Sequence, residues 1–176
     1  MTPRELEEYR ALRATIRERG TQRVWIFLIG LLGWAALAIT TAALATLPVA
    51  TLLPLLVLAS VFQAVFSVHT VVERVGRYIQ VYFEEDQAGW EQTAMAFGRV
   101  FPTHGPDPLF APTFIGATLL NFIPVLLAEP APIEIGVVGA AHLAFLVRIV
   151  LARRAAGRQR AIDLQRYQQI KTGNRR

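Results

Sequence analysis

The sequence predicts an all-α integral membrane protein: a four-helix transmembrane bundle of two hairpins, with amphipathic helices on the cytoplasmic side. Three observations lead there. From Val24 to Val72 no Asp, Glu, Lys or Arg occurs. A second apolar region, 110–152, follows a polar stretch and is broken near its middle by "EPAP". The composition, 53% hydrophobic against 18% charged with a mean hydropathy of +0.39, is too apolar for an ordinary soluble domain.

Residues 1–23 read as a cytoplasmic amphipathic helix. Thr2 caps it, Pro3 takes the first helical position and Glu5 completes a capping box. Gly20 suits its stop. Leu6, Tyr9, Leu12 and Ile16 recur at helical spacing, and the expected place for that stripe is the inner membrane face.

The uncharged run 24–72 is too long to be one span. As a single helix it would reach roughly 74 Å, against a hydrocarbon core of about 30 Å. Pro48 and Pro54 mark the turn, giving spans over 24–47 and 52–72. The apolar stretch lies behind an arginine-rich segment and is far longer than a signal h-region, so no cleaved leader is expected.

Segment 73–109 is expected to leave the membrane as a continuation of the second span, to about Glu84. On a helical wheel His69, Glu73, Arg77, Gln80 and Glu84 fall within about 80° of one another. Two readings follow. In one, this arc is a solvated face whose charges pair locally, Glu73 with Arg77 four residues on, at ~0.3–0.5 kcal/mol. In the other, it lines a polar cleft, with Gly76 letting another helix approach. Trp90, Ala94, Phe97 and Phe101 then mark one face of a short interfacial helix ending before Pro102. Glu84, Glu85, Asp86, Glu91, His104 and Asp107 are the only carboxylate–histidine group, and a charge run of this kind is usually a solvated face.

The second hairpin, 110–152, places spans over 110–128 and 133–152, with a shallow re-entrant hairpin as the alternative because Pro112, Asn121 and Pro124 interrupt the third. Asn121 and His142 are candidate interhelical polar contacts, Gln63 is a further polar group, and Arg148 is placed to snorkel. His69 and His142 are a possible pair in the bundle. Gly136, Ala140 and Ala144 read as a packing stripe. The basic tail, 153–176, extends the fourth helix into the cytoplasm, with Leu164, Tyr167 and Ile170 as a short apolar stripe.

Six arginines precede the first span and eight basic residues follow Ala152, whereas the two hairpin turns carry no base. The positive-inside rule then puts both termini and the central segment in the cytoplasm of a multi-pass cell-membrane protein. The expected partners are the bilayer, its anionic headgroups, and a second copy or another membrane protein. The net charge of +5 comes without any nucleic-acid recognition module, so nucleic acid is not expected. Cysteine is absent, which excludes disulfides and thiolate metal sites, and no cofactor or metal is expected. Arginine outnumbers lysine 17 to 1, a bias of GC-rich bacterial genomes. No GxSxG, HExxH, Walker A or dinucleotide motif occurs. The expected function is that of a non-enzymatic accessory or scaffold subunit; the alternative is a small homo-oligomeric transporter or channel using the His69/Glu73/Arg77 face.

Overall fold

In the computed structural model every regular element among the described residues (1–44, 47–84, 89–101 and 107–173) is helical. The elements are α1 (Pro3–Leu44), a 3-10 turn (Pro48–Thr51), α2 (Leu52–Tyr82), α3 (Trp90–Val100), α4 (Ala111–Leu127) and α5 (Pro132–Gly173). Each of the four apolar segments therefore lies in its own helix. The chain divides into two compact units. The first comprises 1–22, 68–106 and 154–176; the second comprises 23–67 and 107–153.

α1 begins with the expected capping box. The Thr2 amide donates to Glu5 Oε2 at 2.6 Å, and the Glu5 amide donates to Thr2 Oγ1 at 3.3 Å. Its end differs from expectation, because the helix runs straight through Gly20. A glycine inside a helix costs only about 1 kcal/mol, and ending there would forfeit several backbone hydrogen bonds. Pro54 sits in the first turn of α2, where its missing N–H leaves no hydrogen bond unmade.

Three helical stretches are long and apolar enough to cross a membrane: α1, Pro48–Tyr82 and α5. α4 is shorter, 17 residues or about 26 Å, and contains Pro124. It starts from Phe110 in the left-handed region (φ 51°), and Asp107 holds that turn by accepting the Leu109 and Ala111 amides at 3.1 and 3.3 Å. Arg153 Nε lies 3.4 Å from the same carboxylate.

The second unit packs around Phe62. Its ring meets Phe114 and Phe145 edge-on at 5.2 and 5.9 Å, while Phe27 stacks on Phe110 at 4.1 Å. Leu58, Phe62 and Val65, spaced for one face of α2, are sealed from solvent, as are Val138 and Ile149 on α5. Outward, α1 exposes Trp25, Ile29, Leu32 and Ile39, and only 6% of its most apolar 18-residue window is buried. α4 likewise turns Leu119, Leu120 and Leu126 outward. So large an exposed apolar surface is what a bilayer covers. Gly136, Ala140 and Ala144 do not form an internal packing face, since all three are exposed. Val138, His142, Phe145 and Ile149 occupy the inner face instead, where bulk fills space that small residues would leave open.

Gly30 marks the tightest approach of α1 to α2. A Cβ there would stand 2.4 and 2.5 Å from the two methyls of Val61, a branched side chain with little rotamer freedom. Gly30→Ala is expected to lower stability by about 1–3 kcal/mol through overpacking. Gly33→Ala, with nothing within 4 Å, should be neutral or slightly stabilising. Thermal unfolding of both variants in one detergent checks the contrast.

Candidate functional site

In the second unit, Asn121 joins three other segments. Its Nδ2 donates to the Thr51 carbonyl at 2.9 Å and to His142 Nε2 at 3.0 Å, and its Oδ1 accepts from Trp34 Nε1 at 3.3 Å. His142 Nδ1 donates in turn to the Val138 carbonyl at 2.8 Å, which fixes the neutral tautomer. Each of these groups is buried and satisfied. The structure thus places Asn121 and His142 together as a pin between helices, with Trp34 as a partner that carries no charge or motif to announce it. Elsewhere in this unit Arg148 donates to Gln63 at 2.8 Å, and its guanidinium lies 5.1 Å from the Phe66 ring centre.

The first unit is built on the polar arc of α2. His69, Arg77 and Glu84 are 2%, 5% and 5% exposed, and Glu73 and Gln80 are half-buried. The arc is therefore not a solvated helix face. It is turned inward, because charges from α5 and α3 meet it there. Arg160 of α5 grips Glu73 with two nitrogens, at 2.6 and 3.0 Å. Glu73 is consequently a distant partner for Arg77 on its own helix, at 3.9 Å. Arg77 instead donates to Gln80 Oε1 at 2.8 Å and lies 3.6 Å from Glu91 of α3. Arg13 of α1 reaches the other oxygen of Glu91 at 2.7 Å. Arg74 lies 3.6 Å from Asp163, which also accepts from Gln159.

Two glycines make this geometry possible. A Cβ at Gly76 would lie 2.9 Å from Glu91 Oε2, so the absent side chain is the space Glu91 uses. A Cβ at Gly89 would meet the Glu84 carboxyl at 2.2 Å. Glu84 Oε2 accepts the Glu91 and Gln92 amides at 2.9 and 3.1 Å, so it caps the positive end of α3, and the Gln92 side chain donates back to the Glu84 carbonyl. Among the acids grouped by sequence, then, Glu84 and Asp107 are helix caps and Glu91 is an ion-pair partner. Glu85, Asp86 and His104 lie outside the described residues. Among the described residues no group of three or more His, Asp or Glu is placed to hold a metal ion.

Of the N-terminal stripe, Tyr9 is engaged within this unit, whereas Leu6 is exposed. Tyr9 packs on Phe83 at 5.6 Å, and Glu8 accepts from the Tyr78 hydroxyl at 2.9 Å. Tyr167 of α5 closes the aromatic group edge-on to Tyr78 at 5.6 Å. On α3 and at its C-terminal cap, by contrast, Trp90, Phe97 and Phe101 are exposed.

A cleft of about 630 Å³ opens beside the network. Its lining mixes the charged Glu73, Arg77, Glu91 and Arg160 with apolar residues of α3 and α5, among them Ala94, Gly157 and Leu164. Burial holds the Arg77 guanidinium below its ordinary pKa, with Glu73 and then Glu91 working in the opposite direction. His69 lines a narrower crevice with Glu73, Arg77 and Asp163. His69 and His142 belong to different units. Arg13, Arg160 and Asp163 were not distinguishable as site residues by sequence. The available signal was phase alone: Gly157, Arg160, Ala161 and Leu164 share one face of α5.

No protein-family model matches the chain, and neither does any curated protein or solved structure.

Removing Glu91 leaves Arg77 with its remote contact to Glu73. Glu91→Ala is expected to destabilise the protein by about 3 kcal/mol, read from thermal unfolding in detergent. A second prediction concerns Tyr78, whose phenol is pushed up to about 12 by burial first and then by the Glu8 hydrogen bond. The stability gained from this is present below pH 10, the unfolded value, and is lost as pH rises through 12. Phenolate absorbance should show a late titration stage that Tyr78→Phe diminishes, the remainder belonging to Tyr167, which burial also raises.

Proposed function

We propose that this chain is a four-span membrane protein that acts as a non-enzymatic accessory or scaffold subunit, with both termini in the cytoplasm. The observation that carries the reading is the inward pairing of the polar arc. Glu73, Arg77 and Glu84 are each committed to fixed partners on α5, α3 or the α3 terminus. A transport face needs charges that exchange partners with a passing solute; here they bind the chain's own segments together. Contact with other molecules falls to the exposed apolar residues of α3, where Trp90 and Phe97 suit an interface with lipid or with a membrane-protein partner. For α4, the apolar flanking residues Phe110 and Ala128 bring the helix close to the thickness of the hydrocarbon core.

Topology and role are tested separately. Reporter fusions at Trp90 and Pro130 should give a cytoplasmic and an extracytoplasmic signal respectively, and a cytoplasmic signal at Pro130 would sink the four-span model. For the role, native mass spectrometry of the protein drawn from its own membrane should show a stoichiometric foreign subunit that Trp90→Ser with Phe97→Ser releases. Solute flux in liposomes that Glu73→Gln abolishes, with the fold intact, would favour transport instead.

A further inference from the structure

α3 has no apolar seat. Of its described side chains only Glu91 is buried; Gln92 and Met95 are half-buried, and the others are exposed. α2 differs within the same unit, where Ile79 and Val81 are buried hydrocarbon. Beneath α3 the packing stays open. The cleft of about 630 Å³ is lined by Ala94, Met95 and Gly98 of α3 and by Gly157, Ala161 and Leu164 of α5, a volume that neither helix fills.

What holds the helix is polar and confined to its first turn. Glu84 accepts the Glu91 and Gln92 amides, and the Gln92 side chain donates back to the Glu84 carbonyl. These contacts span seven or eight positions and fasten the start of α3 to the chain just before it. Among the described residues, only the Glu91 carboxylate ties α3 to other helices, meeting Arg13 at 2.7 Å and Arg77 at 3.6 Å. Residues 93–98 make no hydrogen bond or ion pair with another element among the described residues; the Thr93 hydroxyl returns to the Gly89 carbonyl. Gly89 itself is extended and stands at the joint, where a few torsions can absorb a change of direction.

A helix fastened at one turn and unsupported along the rest has the build of a flap. Lifting it breaks one cluster of ion pairs, uncovers little hydrocarbon, and returns Glu91 and Arg77 to water. We propose that α3 is a hinged flap latched by Glu91. When that carboxylate leaves Arg13 and Arg77, α3 swings away from α5 about Gly89 and carries Trp90 and Phe97 with it. The flap rests on the reading of α3 as the contact surface only for its purpose, which is to move that surface; the motion itself does not require a partner.

The test is double electron–electron resonance on the full chain in a neutral detergent. The sequence has no cysteine, so spin labels attach only where one is introduced. Ala96→Cys with Gln165→Cys reports α3 against α5, and Glu7→Cys with Gln165→Cys reports α1 against α5 within the same unit; all three positions are exposed. Glu91→Gln should raise the share of longer distances in the first pair at least threefold, while the second pair keeps its distribution. Arg13→Gln breaks the shorter and more exposed of the two Glu91 contacts and leaves Arg77 paired, so it should move the first pair the same way by less. A first pair that Glu91→Gln leaves unchanged overturns the flap. Broadening of both pairs overturns it as well, because the carboxylate would then hold the whole unit and not one helix. A chain that opens on Glu91→Gln yet carries no foreign subunit keeps the flap and loses the accessory role.

Discussion

A guanidinium held at 5% exposure on α2 sets the terms for everything around it. An arginine cannot shed its charge, so its burial obliges the chain to deliver compensating groups to one place. Glu73 is the nearest by sequence and is already claimed by Arg160. Glu91 must therefore come from α3, and it fits only because residue 76 has no side chain. The position of Glu91 depends in turn on where α3 begins, which Glu84 fixes by capping its first amides across Gly89. The order of dependence runs from one buried cation to a gap in α2, then to a cap, and so to the placement of a whole helix.

The two units handle buried polarity by different means. In the second unit, whose outer surface is apolar, the buried polar side chains are neutral: an amide, an imidazole, an indole and two threonine hydroxyls, each hydrogen-bonded. Neutral donors and acceptors are the tolerable form of buried polarity where water is scarce. The first unit uses full charges, several of them partly exposed, where water and counterions help to solvate them.

Much of this was legible in the chain and some was not, for identifiable reasons. Charge-free runs and prolines located the helices because hydropathy and φ restriction act locally. The capping box was legible for the same reason, since Thr2 and Glu5 are three residues apart. The polar arc was visible on a helical wheel, but its direction was not: inward or outward depended on Arg160, 87 positions from Glu73. Gly20 misled because the signal for a helix end is equally a tolerable helix interior. The stripe of Gly136, Ala140 and Ala144 misled because small residues mark close packing only when a second surface arrives.

Asn121 has a consequence for how this sequence can diverge. With both amide hydrogens donated and its carbonyl oxygen accepting the indole N–H, it makes three of its four hydrogen bonds inside the protein, and the imidazole it meets has none to spare. A lone apolar replacement at 121 strands an indole N–H, a backbone carbonyl and a ring nitrogen together. Replacing 121 and 142 together by well-fitting hydrocarbon removes only the ring nitrogen from that set, and the indole N–H stays stranded until position 34 changes too. Positions 34, 121 and 142 therefore drift as a unit: each constrains which neighbours' substitutions survive, and a path between two working sequences must cross their joint change rather than take the three one at a time.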